Sequence, residues 1–276
     1  MNPDSLRHLS MDGKTAVVTG STQGLGEAIA HMFADRGVAQ MVITGRNAER
    51  GAKVKAALEA KKVKTVFVQA DLGKMEDVRK VVAACDTSFG RIDALVNAAA
   101  LTDRGTIWDT SEQRYDELFD VNVKAPFFLM QDTLRLMKKA KVSGTIVNIL
   151  SMSGHGGQDF LTAYSTTKGA LATMTRNVAF SVMKYKIRVN GLNIGWMDTP
   201  GEDRVMKTYH DADPGWLKNA EAKRPFGRLL KPGEVARAVA YLSSEESGMM
   251  TGSVIDFDQQ VLGAGNAIAE PPDAVW

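Results

Sequence analysis

The chain has 276 residues, 44% hydrophobic and 24% charged, enough apolar material for one large core or two smaller ones. Lys and Arg number 34 against 32 Asp and Glu, and that near balance supplies no basic stripe of the kind a nucleic-acid reader needs. A single cysteine, Cys85, excludes an intrachain disulfide framework and fits a reducing compartment, and no run of residues approaches bilayer-spanning length.

Residues 1–12 read as a polar leader without the apolar run and small-residue cleavage pattern of a secretory signal, so a cytoplasmic protein is expected. Residues 14–19 (KTAVVT) are short, apolar and β-branched, bounded by Gly13 and Gly20, the pattern of a buried parallel strand. Small residues and glycines follow, and then Leu25, Ile29, Met32 and Phe33 recur at helical spacing. Further strands are predicted at 40–44, 65–70, 92–96, 145–150, 187–192 and 253–257. Helical patterns occupy 48–60, 76–86, 112–119, 126–139, 161–184 and 234–243, with Pro126 where a first turn tolerates it. Cys85 falls inside one of these helices and is expected to be an inert thiol. Residues 197–228 are polar, proline-bearing and irregular, and are expected to form a lid or substrate loop of about 196–228. The tail at 261–276 is expected either to pack on a neighbouring subunit or to be loose.

Strands alternating with long helices imply βαβ units, right-handed crossovers and a doubly wound parallel sheet with helices on both faces. No Pro-, Gly- or Ser-rich linker divides the chain, so one α/β catalytic domain is expected over 13–260. The run Thr19-Gly20-Ser21-Thr22-Gln23-Gly24-Leu25-Gly26 lies between the first strand and the first helix. Glycines there permit a tight turn and let a pyrophosphate approach the helix N-terminus, the Rossmann-like arrangement. The spacing is neither G-x-G-x-x-G nor that of a P-loop. At the end of the second strand an acid would hydrogen-bond the ribose of NAD. Arg46 stands there instead and can bond a 2′-phosphate, which favours NADP and leaves NAD possible; the competing reading is a solvated helix start. Asp71 is a candidate acceptor for the adenine amino group or, alternatively, a helix cap.

Ser151 follows the fifth strand, and Tyr164 and Lys168 are spaced to share one helical face. A strand end and a helix start can converge at the mouth of the sheet, where open α/β folds bind ligands. Hydride transfer to a ketone creates an alkoxide that needs a proton. A phenol supplies it if a nearby ammonium stabilises its anion, and a serine hydroxyl can polarise the carbonyl.

On these residues the chain resembles the classical short-chain dehydrogenase/reductase family, from about residue 12 to residue 258. The resemblance implies a catalytic tetrad of Asn122, Ser151, Tyr164 and Lys168, in which the Asn region holds a water of a proton relay; Tyr164 and Lys168 are also implied as cofactor contacts, the lysine at the nicotinamide ribose. It implies cofactor contacts from Gly20, Thr22, Gln23, Gly24, Leu25 and Gly26, from Asp71 and Leu72 at the adenine, and from Asn97, Gly195 and Thr199 nearer the nicotinamide. The family's Asn-Asn-Ala-Gly motif appears here as Asn97-Ala98-Ala99-Ala100, and its Pro-Gly as Ile194-Gly195. Gln23 stands where NADP-using relatives often carry a basic residue, so the NADP reading depends on Arg46. The resemblance also implies a homotetramer, built partly through the helices that carry Tyr115, Phe119, Phe127 and Phe128.

For substrate contacts the candidates are Ser153, His155, Gln158 and Asp159, and beyond the sixth strand Trp196, Asp198 and His210. Hydrogen-bonding side chains lean toward a sugar, polyol or other small hydroxylated ketone. An alternative is an NADPH-dependent 3-oxoacyl-thioester reductase of the acyl-carrier-protein type. A third reading, a non-catalytic nucleotide-sensing protein, has no chemical use for Ser151, Tyr164 and Lys168 together. His155 and His210 lack a standard ligand spacing with their neighbouring acids, so no metal is expected, nor a nucleic-acid or membrane partner.

Overall fold

The computed structural model describes residues 10–262. Most of the leader at 1–12 and of the tail at 261–276 therefore lies outside the described residues. Among the described residues seven strands form one parallel sheet in the order β3-β2-β1-β4-β5-β6-β7. They are β1 (Thr15–Val18), β2 (Gln40–Gly45), β3 (Lys64–Gln69), β4 (Ala94–Asn97), β5 (Thr145–Ser151), β6 (Arg188–Ile194) and β7 (Val254–Phe257). Alternate strand residues feed opposite cores, as a period of two requires. Ala16, Val18, Met41 and Ile43 point to one face, which is covered by α1 (Gly24–Asp35), α2 (Ala48–Ala60) and α9 (Pro232–Ser243). Val17 and Val42 point to the other, which is covered by α3 (Met75–Phe89), α5 (Ala125–Ala140) and α6 (Thr162–Val182). This is the single-domain, doubly wound α/β fold that the alternating pattern implies. Cys85 is buried in the second core, where desolvation pushes its thiol up to about 12, out of reach of nucleophilic work at neutral pH.

Three local features shape the site. First, α4 (Glu112–Phe119) and α5 are not separated by a loop; a π-helical segment, Asp120–Lys124, joins them and carries Asn122. Single π turns of this kind often mark functional positions. Second, β5 runs one residue further than its apolar pattern, so Ser151 is the last residue of the strand.

Third, the stretch expected to be irregular between 197 and 228 holds two helices, α7 (Pro200–Tyr209) and α8 (Trp216–Ala222). Thr199 caps α7, accepting from Glu202 N at 3.1 Å, and Pro200 occupies the first turn with Glu202 and Asp203 beside it. Only Val205 of α7 is buried, so the apolar periodicity that reveals a helix is nearly absent. The excursion is tied at its base, where Asp198 N donates to Leu230 O and Leu230 N to Trp196 O, each at 3.0 Å.

Candidate active site

The strand order reverses direction between β1 and β4, and a cleft opens there at the strands' C-terminal ends, the expected ligand crevice of such a sheet. At its near wall Gly20 adopts φ +64° and lies so close to the loop after β4 that a Cβ would sit 2.8 Å from Ala99 Cα. Gly26 is tighter still: a Cβ there would meet Gly20 O at 2.3 Å. Thr19 fixes this approach, its Oγ1 accepting from Ala98 N and Ala99 N at 3.0 Å. No side chain caps the N-terminus of α1 at Gln23, so its first N–H groups open to the cleft that Gly24, Leu25 and Gly26 line. That uncapped helix end and its closely packed glycines fit a pyrophosphate.

At one end of the cleft stand two arginines. Arg46 follows β2 and is exposed. Arg50 lines the cleft beside it and donates to Gln23 Oε1 at 2.6 Å. The reading of this end from Arg46 alone missed Arg50. The signal was present, since Asn47 caps α2 through Arg50 N at 2.8 Å and so places Arg50 one turn into the helix. Thr22 also lines this region. Asp71 and Leu72 line the cleft at the end of β3, where Asp71 Oδ1 accepts from Gly73 N at 3.1 Å. The helix-cap role weighed for Asp71 is not taken, since Lys74 is the N-cap of α3; Asp71 instead holds a turn and stands on the cleft wall.

Two expected cofactor contacts lie off the cleft. The Asn97 side chain turns into the sheet and donates to Asn148 Oδ1 at 2.8 Å. Gly195 backs onto Asp258, where a Cβ would sit 2.0 Å from Oδ1. Thr199 does line the cleft; its hydroxyl accepts from Glu202 N and keeps a proton to donate.

The other end gathers the candidate catalytic groups. Tyr164 and Lys168 are 8% and 3% exposed on α6, both on the cleft. Lys168 Nζ donates to Ile149 O at 3.0 Å and lies 5.6 Å from the Tyr164 ring centre. Burial pulls the lysine down to about 8. Burial also pushes the Tyr164 phenol up to about 12, against the hydrogen bond from Ser151 and the Arg104 charge, which lower it, while Glu202 raises it. Ser151 is held in turn by Ser153 N, which donates to its Oγ at 3.1 Å. Asn122 is enclosed by its own bonds: Nδ2 donates to Leu101 O at 2.9 Å and Thr167 Oγ1 at 3.1 Å, and Oδ1 accepts from Leu101 N at 2.9 Å. It clamps the loop after β4 to α6.

The expected substrate residues divide. Ser153 Oγ donates to Gln158 Oε1 at 2.7 Å, and His155 Nε2 lies 2.9 Å from Asp256 Oδ1 on β7. Asp159 accepts from Phe160 N, and Asp198 pairs with Lys231 at 2.9 Å. None of these five lines the cleft. Trp196 and His210 are also off the cleft lining; they belong to a roof built around two residues the sequence reading missed, Arg104 and Glu202, of which Glu202 lines the cleft. Trp196 Nε1 donates to Glu202 Oε1 at 2.8 Å, and Arg104 Nε approaches His210 Nε2 at 3.3 Å. No local signal marks this pair, because 98 residues separate Arg104 from Glu202. Among the described residues no helix is long and apolar enough to cross a membrane, and no three His, Cys, Asp or Glu side chains gather as a metal site.

A glycine cradle at a helix start, facing Tyr164 and Lys168 across the same cleft, with Ser151 hydrogen-bonded to Tyr164, is the arrangement of a nicotinamide-dependent oxidoreductase. The family model described as enoyl-(acyl carrier protein) reductase matches residues 20–259. The chain belongs to the classical short-chain dehydrogenase/reductase family. Its relatives include an uncharacterised oxidoreductase of Thermotoga maritima, 34% identical over 91% of this chain and 98% of that protein. Another is the galactitol 2-dehydrogenase of Agrobacterium fabrum, 31% identical over 91% of this chain and 98% of its own length. Among solved structures, the L-sorbose reductase of Gluconobacter frateurii, complexed with NADPH and L-sorbose, superposes with a TM-score of 0.86. It is 29% identical and covers 93% of this chain and 99% of its own.

Proposed function

We propose that this protein interconverts a secondary alcohol and a ketone on a small polyhydroxylated substrate, with NADP as its preferred cofactor. One observation carries the reaction: Tyr164, hydrogen-bonded by Ser151, lines with Lys168 one end of a cleft whose other end is an uncapped, glycine-lined helix start. The bound nicotinamide would supply or accept the hydride. The chain's own part is to deliver the proton. Tyr164, held as a neutral phenol by burial, is the acid toward the nascent alkoxide, and Ser151 donates a hydrogen bond to the same oxygen. Lys168 keeps ammonium donors beyond the one on Ile149 O, suited to ribose hydroxyls, and its charge favours the phenolate that remains after transfer. Both amide hydrogens of Asn122 are donated to protein groups, so a relay water would rest on one of its oxygens, the main-chain carbonyl in our reading.

Arg46 and Arg50 support the NADP preference, as two guanidinium groups suit a 2′-phosphate and no acid stands at the end of β2. The polar roof of Arg104, Glu202 and Trp196 supports the substrate class. Relatives named for galactitol and L-sorbose point the same way. A thioester reductase is the second reading, favoured by the description of the matching family model. A charged roof does not suit an acyl chain. The protein is further taken to be cytoplasmic and to assemble as a homotetramer.

The test is a panel of ketoses, simple ketones and β-keto thioesters, with NADPH and NADH compared by absorbance of the reduced ring. Ketoses with NADPH should turn over fastest, and Arg46→Ala or Arg50→Ala should weaken NADPH about tenfold with little change for NADH. Preference for a β-keto thioester would contradict the substrate class, and equal use of both cofactors would contradict the roles of the arginines.

A further inference from the structure

Glu202 sits in the first turn of α7, and Arg104 in the loop after β4. Their side chains are 14% and 13% exposed, and Arg104 Nη2 meets Glu202 Oε1 at 3.1 Å. Trp196 Nε1 donates to that same oxygen. Two donors on one oxygen fix the rotation of the carboxylate. Arg104 is itself immobilised, its Nη1 donating to Thr102 O at 2.9 Å and its Nε to His210. Glu202 lines the cleft together with Thr102, Tyr164 and Lys168, and among the described residues its Oε2 accepts no hydrogen bond.

A sheltered carboxylate with one oxygen tied and the other open wants a donor. An acyl chain laid against it would leave Oε2 desolvated with no donor. A substrate carboxylate would be repelled. A hydroxyl satisfies it.

We propose that Glu202 Oε2 accepts a hydrogen bond from a substrate hydroxyl, which makes Glu202 the residue that selects neutral polyhydroxylated ketones over deoxy analogues and keto acids. Arg104 is a positioning residue that acts through Glu202. This rests on the reading of the cleft as a site for hydroxylated ketones, and goes further by naming the atom that reads the hydroxyl.

The experiment measures kcat/KM with saturating NADPH for a ketohexose, its single-deoxy analogues and a keto-aldonate, with NADPH binding followed by fluorescence. The wild-type protein should lose about tenfold or more on one deoxy position. Glu202→Ala should bring that ratio close to one while NADPH binding holds. Glu202→Gln, which can keep the Trp196 bond, should relieve the exclusion of the keto-aldonate about tenfold. Arg104→Gln should raise KM for the ketohexose and leave it unchanged for that deoxy analogue, with Arg104→Lys restoring part of the difference. If the ketohexose is reduced and its ratio to every deoxy analogue is the same in Glu202→Ala as in wild type, the inference falls alone. If no ketose is reduced while a simple ketone or a thioester is, the substrate reading falls and the inference with it.

Discussion

At Lys168 two demands meet: catalysis needs an ammonium beside Tyr164, and burial opposes one. Burial holds it at about 8 in the folded chain, below the ordinary lysine value of 10.5. Below about pH 8 the lysine is charged in both folded and unfolded chains, and the full desolvation cost stands. That cost fades as the pH rises from about 8 toward 10.5, because the folded chain then holds a neutral amine. Lys168→Met should therefore stabilise the ligand-free protein by about 1–3 kcal/mol at pH 7, read by urea unfolding, and the gain should shrink by pH 10. An equal gain at both pH values would contradict the assignment. Tyr164 acts with the opposite sign and later: its value is raised, so its contribution is lost as the pH climbs above 10. These two residues were legible in the sequence because one turn of α6 holds both. Arg104 and Glu202 were not, because only tertiary packing joins them.

Elements rather than single residues set the shape of the cleft. The β1–α1 turn could be read directly, since glycines between an apolar strand and a periodic helix have few other uses. The structure adds the reason for the spacing: Gly26 passes so near Gly20 O that the helix start has no room for a side chain. Gly26→Ala should push α1 off its turn and weaken NADPH binding by more than about tenfold, measured by fluorescence titration, with a loss of 1–3 kcal/mol or so in stability. Unchanged affinity would remove the cradle from the account. The helix α7 was hidden for a physical reason, since a helix that buries Val205 alone shows no apolar stripe. Its start signal, Thr199-Pro200 followed by acids, was in the sequence and was outweighed by the polar composition around it. The π segment at Asn122 was equally invisible, because an inserted helical residue leaves no mark on hydropathy.

For the whole molecule, the alternating pattern was enough to give a parallel sheet with helices on both faces, and the strand order supplied what the pattern lacked, the place of the crevice. The outer surface carries one further feature. Phe119, Val123, Phe127, Phe128 and Met174 line an apolar groove along the α4–α5 path, and Tyr115 and Phe127 remain 45% and 43% exposed. Apolar faces of this kind suit subunit contact. If the tetramer reading holds, light scattering should give four times the 29.9 kDa chain mass, and Phe127→Glu should reduce it to dimers. A monomeric wild-type protein would contradict it.

The central claim is that the Tyr164 hydroxyl delivers the proton in a cleft that holds the cofactor mainly through other groups. Its most direct measurement pairs turnover with NADPH binding in Tyr164→Phe, which removes the hydroxyl and keeps the ring. The account predicts that kcat falls by about a thousandfold or more while NADPH affinity stays within about threefold of wild type. Turnover near the wild-type rate in that variant would contradict it.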